Sequence, residues 1–192
     1  MRRTFKQMSV LAVAGLLGAL TVPGTAAASA DLASAAGTCS SPDGVVSAHP
    51  DGWQLYMACE QGLAYVQSCP SGLDFNPYGQ YCDWPASAGT PPTGAVVQAG
   101  PAVLSLLPLQ VKGLSAKATY GGATFFGTAR FTTAAGDLLC EANTDASGVA
   151  RCDSAPGLTA PVNSLLQGYQ ATFTATEPTI LPRTGTGTVN AL

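Results

Sequence analysis

The segment from residue 31 to residue 90 contains no lysine and no arginine, although it holds six of the eleven acidic residues of the chain. A segment without fixed positive charge cannot displace counterions from a phosphate backbone, which excludes nucleic acids as partners. Anionic membrane surfaces are excluded for a related reason, because they attract clusters of basic residues. We therefore expect this segment to have a neutral or cationic partner.

The sequence also lacks the patterns that metal sites and common hydrolases require. His49 is the only histidine and no Cys-x-x-Cys pair is present, which argues against zinc. There is no Gly-x-Ser-x-Gly sequence, and the acidic residues are scattered, whereas glycoside hydrolysis needs a carboxylate pair set in a cleft. These absences predict a non-enzymatic protein with no metal and no cofactor.

Long hydrophobic runs are absent except near the N-terminus. Three basic residues precede the uncharged run of 15 residues from Met8 to Val22, and the small-x-small sequence Ala28–Ala30 follows it. This order predicts a signal peptide over residues 1–30 and a secreted, extracellular protein. A retained membrane anchor is the alternative, but the run is shorter than the roughly 20 apolar residues that span a bilayer.

The six cysteines and the changes in composition divide the rest of the chain. An even number of cysteines after a signal peptide predicts three disulfides. Residues 36–90 carry four cysteines and seven aromatic residues, and such a short domain needs its disulfides for stability. Proline and glycine then predict a linker at residues 91–99. Residues 100–192 alternate apolar and polar residues in short runs, which predicts an all-β sandwich.

Two hairpins are predicted in the first of these segments. The strand 63–67 is expected to pair with 53–58 through a turn at Glu60–Gly62. A second hairpin is expected to join 72–75 to 80–84 through the turn Asn76–Gly79, whose proline and glycine favour a turn. Cys69 and Cys82 lie near the open end of the second hairpin, where a disulfide between them would close it.

The same segment contains five short motifs in a fixed order: His49–Asp51, Tyr56–Cys59, Gly62–Ala64, Cys69–Pro77 and Cys82–Pro85. This order and spacing resemble the peritrophin-A family, the type-2 chitin-binding domains with a tachycitin-like fold, over residues 39–89. The resemblance implies a small disulfide-rich β domain that binds chitin or N-acetylglucosamine oligomers.

The cysteines depart from the family in an informative way. Members of the family usually have six cysteines, paired first with third, second with sixth and fourth with fifth. In this chain Trp53 occupies the place of the second cysteine, and the sixth, expected near residues 88–91, is absent. Because the two missing cysteines are partners, the resemblance implies the pairs Cys39–Cys59 and Cys69–Cys82.

An exposed aromatic ring can cover the C–H face of a pyranose, while amides and carboxylates bind the hydroxyl rim. The residues predicted to bind carbohydrate in this way are Tyr65, Asn76, Tyr78, Tyr81, Asp83 and Trp84. Packing is the alternative for Trp84, and a turn role is the alternative for Asn76 and Asp83. His49 is expected at the surface, before a turn. The alternative function is a structural or adhesive surface protein that has lost sugar binding.

The second segment is expected to pair 137–144 with 149–153 about a turn at 145–148. That register places Cys140 opposite Cys152, which predicts the third disulfide, and Glu141 opposite Arg151, which predicts an ion pair. Alternation predicts further strands over 125–133 and 168–175. The pattern from Leu139 to Cys152 resembles bacterial Ig-like repeats, which implies an Ig-like β-sandwich that serves as a spacer or contact module.

The pentapeptide Leu181–Gly185 matches the Leu-Pro-x-Thr-Gly signal that sortases cut. No apolar segment and basic tail follow it in this sequence, so we expect the end of a β-strand there and no attachment to a cell wall. A monomer is expected.

Overall fold

The computed structural model describes residues 34–89 and 93–191, and the predicted signal peptide lies outside these residues. The described part of the chain is almost entirely β-structure. Within it, no helix is both long and apolar enough to cross a membrane. We call residues 34–89 the cysteine-rich region and residues 93–191 the sandwich region.

The cysteine-rich region is a short antiparallel meander followed by a small hairpin. Its strands are β1 (Gly37–Cys39), β2 (Val46–His49), β3 (Gly52–Glu60), β4 (Leu63–Ser68), β5 (Asp74–Asn76) and β6 (Tyr81–Asp83). The predicted turn between β3 and β4 is confirmed. Gln61 and Gly62 both have positive φ there, 52° and 78°, as a two-residue hairpin turn requires.

The sandwich region contains eleven strands and one helical turn. They are β7 (Val96–Ala99), β8 (Ala102–Leu106), β9 (Leu109–Lys112), β10 (Leu114–Tyr120), β11 (Ala123–Phe125), β12 (Gly127–Thr133), β13 (Leu138–Asn143), β14 (Ala150–Cys152), α1 (Val162–Leu165), β15 (Tyr169–Ala175), β16 (Arg183–Gly187) and β17 (Val189–Ala191). The apolar stretch from Val103 to Leu109 is therefore strand rather than helix, and it turns at Pro108.

The core of the sandwich lies between a sheet ordered β13-β12-β15-β16 and the strands β7, β10, β11 and β14 of a larger sheet. The predicted alternation is confirmed, because Phe125, Ala129 and Phe131 are buried while Arg130 is exposed. The Tyr169 hydroxyl ties the sheets together by donating to the carbonyl of Gly100 at 2.6 Å. Burial raises the pKa of this hydroxyl, which keeps it a donor.

One sheet runs through both regions. Strand β1 pairs with β4 of the cysteine-rich region on one side and with β11 of the sandwich region on the other. A Cβ atom on Gly37 would collide with the carbonyl oxygen of Thr124, so the absence of a side chain lets these strands approach. The cysteine-rich and sandwich regions accordingly form one compact unit.

The segment predicted as a linker is partly a strand. Residues 96–99 form β7, which pairs with β10, and both Ala95 and Val97 are buried. The linker prediction for residues 96–99 is therefore wrong. The reason is that Ala95 and Val97 supply apolar surface that the core covers, whereas the prediction gave more weight to the preceding prolines and glycines.

A second contact joins the two regions around the turn between β2 and β3. The Asp51 carboxylate forms an ion pair with Arg183 and accepts a hydrogen bond from the Leu181 backbone N–H at 3.0 Å. The Asp51 side chain is almost fully buried, whereas the Arg183 side chain remains partly exposed. Strand β16 begins at Arg183, inside the pentapeptide Leu181–Gly185, and ends at Gly187. It pairs with β15.

His49 is fully buried beside this ion pair, so the prediction of a surface position is wrong. The Asp51 N–H donates to His49 Nδ1 at 3.1 Å, and Nε2 lies 3.1 Å from the Thr179 hydroxyl. Thr179 in turn donates to Glu177 at 2.9 Å. Burial lowers the pKa of His49, because desolvation disfavours the charged imidazolium.

The chain passes from one sheet to the other at the turn 145–148. The predicted hairpin of 137–144 with 149–153 is wrong, because β13 lies in the four-stranded sheet and β14 pairs with β10 in the larger one, and only Thr144 lies opposite Ala150. The predicted disulfide Cys140–Cys152 is present and links the two sheets. Arg151 pairs with Asp145 at 2.6 Å, and the predicted pairing with Glu141 is wrong because Glu141 lies opposite Arg130. Hydrogen bonds lower the pKa of the Asp145 carboxyl to about 2, and the bond that the Ser147 hydroxyl donates makes the largest contribution.

Candidate functional site

The hairpin of β5 and β6 carries most of the residues predicted to bind carbohydrate. Its register places Asp74 opposite Asp83, Phe75 opposite Cys82 and Asn76 opposite Tyr81. Because side chains alternate along a strand, Phe75 and Cys82 share one face. The other face, which we call the outer face, carries Asp74, Asn76, Tyr81 and Asp83.

The inner face of the hairpin is anchored to the meander. Phe75 is buried and its ring stacks on Tyr56 of β3, with centroids 5.2 Å apart and an interplanar angle of 18°. The disulfide Cys69–Cys82 ties β6 to the end of β4, and Cys39–Cys59 joins β1 to β3. These are the cysteine pairs that the sequence predicted. On the outer face Tyr81 is exposed, while Asp74, Asn76 and Asp83 are half-buried.

Three aromatic side chains around this face are exposed to solvent. Tyr78 in the turn is 83% exposed, Tyr81 is 55% exposed and Trp84 is 68% exposed. Large aromatic side chains usually bury most of their surface. Two of these rings lie in the loop that the Cys69–Cys82 disulfide closes and Trp84 lies two residues after it, so their exposure to water is a concentrated free-energy cost. A ligand that covered these rings would offset that cost.

The rings of Tyr78 and Tyr81 each lie close to a glycine. A side chain on Gly79 would collide with the Tyr81 ring, and one on Gly89 would touch the Tyr78 ring. Glycine at these two positions therefore lets each ring lie directly on the backbone.

Asn76 has a structural role in the turn. Its Oδ1 accepts hydrogen bonds from the Tyr78 N–H at 2.9 Å and the Gly79 N–H at 3.0 Å, and its Nδ2 donates to the Ser87 carbonyl at 3.1 Å. Two N–H donors occupy the amide oxygen, which leaves it little capacity to accept from a sugar. The turn role that the sequence left open as an alternative is the one the geometry supports.

The two aspartates of the hairpin differ from Asn76. Asp83 accepts a hydrogen bond from the Trp84 N–H at 2.8 Å through one carboxylate oxygen. Asp74 is half-buried and faces Asp83 across the strands. Within residues 34–89 no lysine or arginine is present to neutralise these carboxylates, so hydroxyl or amine groups of a ligand are their natural partners.

Tyr65 does not join this group. It lies on β4, half-buried and opposite Ala58 of β3. The hairpin thus brings Tyr81, Asp83 and Asn76 onto one face, with Tyr78 in its turn and Trp84 after its second strand. Trp53, which occupies the place of a cysteine in the family pattern and was not predicted to bind carbohydrate, is exposed at the start of β3.

The described residues contain no cluster of three or more histidine, cysteine, aspartate or glutamate side chains placed to hold a metal ion. The chemistry available at the hairpin is therefore that of aromatic faces and carboxylate oxygens. Such groups bind by apolar contact and hydrogen bonding, which is how proteins recognise carbohydrate surfaces that have an apolar face and a polar rim.

Residues 39–89 match the model of a known family, described as the chitin binding Peritrophin-A domain. The match covers the meander and the hairpin and ends before the sandwich region. It confirms the resemblance seen in the sequence for this part of the chain. No curated protein and no solved structure matches the chain.

Proposed function

We propose that this chain is a secreted, non-catalytic protein that binds chitin or other N-acetylglucosamine polymers through Tyr78, Tyr81 and Trp84. The observation that carries the proposal is the exposure of all three rings on an anchored hairpin, within a segment that matches a chitin-binding family. Residues 36–90 would then form a recognition module, with the hairpin as its binding surface. The sandwich region would support this module.

The physical basis is complementarity with an amino sugar. The flat C–H face of a pyranose loses contact with water when it lies on an aromatic ring, and this burial is favourable. The carboxylate of Asp83 keeps one oxygen beyond its bond to Trp84, which can accept from hydroxyl or amide groups at the rim. Neither proton transfer nor a metal ion takes part.

Two further features support the extracellular part of the proposal. Three disulfides are present in the structure, and disulfides persist in oxidising compartments outside the cytoplasm. The order of charges and apolar residues in 1–30 is that of a signal peptide. We also propose that the sandwich is a bacterial Ig-like domain and that the protein is monomeric and not attached to a cell wall through Leu181–Gly185.

Retention on insoluble chitin, with cellulose as the control polymer, tests the proposal. We expect the parent protein to be retained on chitin, and Tyr78→Ala and Trp84→Ala proteins to be released at least about tenfold more readily. Leu107→Ala is the matched control, because Leu107 is an exposed apolar residue in the sandwich region. A parent protein that washes off chitin and cellulose alike would instead favour a structural or adhesive protein without sugar binding.

A further inference from the structure

Trp53 forms part of an open depression of about 480 Å³ that the predicted site does not include. Gly52, Trp53, Gln54, Leu55 and Asp74 line it. Trp53 is 42% exposed, although indole is among the largest apolar side chains and usually lies in a core or an interface. The volume falls within the range of pockets that bind small ligands, about 300–1,000 Å³.

The local backbone directs Trp53 into this position. The ladder between β2 and β3 pairs Ala48 with Tyr56 and then shifts, so that His49 lies opposite Gly52. Trp53, Gln54 and Leu55 consequently have no partner on β2. Irregularities of this kind re-aim side chains and are common beside binding sites. On the other side, β3 keeps its pairing with β4 from Leu55 onward, which holds the segment in place.

Asp74 connects the depression to the hairpin. It lines the depression beside Trp53 and also belongs to the outer face, where it lies directly opposite Asp83. The stack of Tyr56 on Phe75 fixes β5 against β3, so the relation between the two surfaces is rigid. Among the described residues, the Asp74 carboxylate accepts no hydrogen bond, which leaves its oxygens for a ligand.

We infer that Trp53 and Asp74 form a second sugar subsite, which binds a further N-acetylglucosamine unit of the polymer that the hairpin holds. The inference rests on the proposed function. The indole covers a pyranose face and the Asp74 carboxylate binds its rim, whereas the Gln54 side chain alternates to the other face of β3. A neutral sugar suits the surroundings, because the segment has no cation to attract an anionic ligand. The site then recognises a run of sugars rather than a single unit.

Fluorescence can test the subsite directly, because Trp53 and Trp84 are the only tryptophans of the chain. In a Trp84→Phe protein all tryptophan emission comes from Trp53, and in a Trp53→Phe protein all of it comes from Trp84. Each full-length variant is titrated with the N-acetylglucosamine hexamer, up to a concentration at which calorimetry shows that the variant itself is saturated. We expect Trp53 emission to shift to shorter wavelength and its quenching by acrylamide to fall at least about twofold.

The outcomes separate the two proposals. Unchanged Trp53 emission at a saturating hexamer concentration overturns the second subsite, while the proposed function stands on the calorimetry. An absence of any heat and of retention on chitin overturns the proposed function itself, and the subsite with it. A shift of Trp53 emission with the dissociation constant measured by calorimetry supports both.

Affinity measurements provide a second, independent arm. We expect Trp53→Ala to bind the hexamer about tenfold more weakly than the parent, and Trp53→Tyr to bind nearly as tightly because it restores an aromatic face. Gln67→Ala, an exposed residue on the neighbouring strand β4, is the control and should bind like the parent. A Trp53→Ala protein that melts at the parental temperature and binds the hexamer equally well contradicts the inference.

Discussion

The two regions of this protein use aromatic side chains in opposite ways. In the sandwich region Phe125, Phe131, Tyr169 and Phe173 are buried between the sheets, whereas in the cysteine-rich region Trp53, Tyr78, Tyr81 and Trp84 are exposed. The first group contributes stability by leaving water. The second group contributes little to stability, because its rings stay in water. Disulfides contribute part of the stability of the cysteine-rich region instead. A short segment can therefore keep exposed aromatic side chains, because disulfides stabilise its fold.

The largest difference between buried and exposed aromatic residues is expected at Phe131, whose substitution should cause the largest loss of stability. We expect Phe131→Ala to lower the free energy of unfolding by about 3–5 kcal/mol, because it leaves a cavity in the core. Trp84→Ala should change it by less than about 0.5 kcal/mol, as for a surface residue. Urea unfolding followed by circular dichroism measures both values. Equal losses for the two variants would show that Trp84 packs as a structural residue.

The disulfides of the two regions are expected to differ in the same way, since only the one in the hairpin should affect retention on chitin. A Cys69→Ser, Cys82→Ser protein should lose about 3 kcal/mol of stability in the hairpin, because the bond closes a short loop, and should lose retention on chitin. Limited proteolysis with mass spectrometry should detect new cleavage between residues 70 and 81. The Cys140→Ser, Cys152→Ser protein is the comparison, since it should be less stable overall but retained on chitin. Retention by both proteins would show that the hairpin does not depend on its clamp.

The contact between the regions gives a smaller effect. Arg183→Ala removes the charged partner of the buried Asp51 carboxylate, and we expect a loss of about 1.5–3 kcal/mol. Arg130→Ala is the control, because Arg130 is exposed on β12. Chemical unfolding of both variants provides the measurement. If Arg183→Ala were no less stable than Arg130→Ala, the ion pair would contribute nothing to the joining of the two regions.

The smallest effect concerns pH. The pKa of His49 is lowered by burial from its usual 6.5, so below that pH the unfolded chain binds a proton that the folded chain does not. Stability contributed by neutral His49 is therefore complete above pH 6.5 and falls on acidification toward the lowered pKa, by at most about 1.4 kcal/mol per pH unit. In His49→Gln this part of the slope should disappear. A parental slope that persists in the variant would assign it to other groups.

Local patterns in the sequence predicted local structure well. The turn Glu60–Gly62 and the alternation of Phe125 to Phe131 were readable because each depends on neighbours along the chain. The site was partly readable for the same reason, since the tyrosines and Trp84 lie in or beside one hairpin. The sequence leaves Asn76 with two alternatives, because a residue before proline suits a turn and its amide also suits a sugar; the local bonds from the Tyr78 and Gly79 N–H groups support the turn role.

What the sequence did not show depends on distant partners. His49 is buried by contact with Thr179, 130 residues away, and a lone histidine before a proline carries no sign of that contact. The pairing of β1 with β11 joins residues near 37 to residues near 125, and each strand has only three residues. Strands this short have too little periodicity to reveal a partner, so the sequence predicted separate domains where the structure has a shared sheet.

The ladder that β1 shares with β4 and β11 has a practical consequence for moving the cysteine-rich region to another protein. Residues 36–90 moved to another protein would carry β1 with the backbone groups that face β11 left unpaired. Such an open strand edge invites pairing with other chains and aggregation. A transplanted cysteine-rich region would therefore need the sandwich region, whose strand β11 covers that edge.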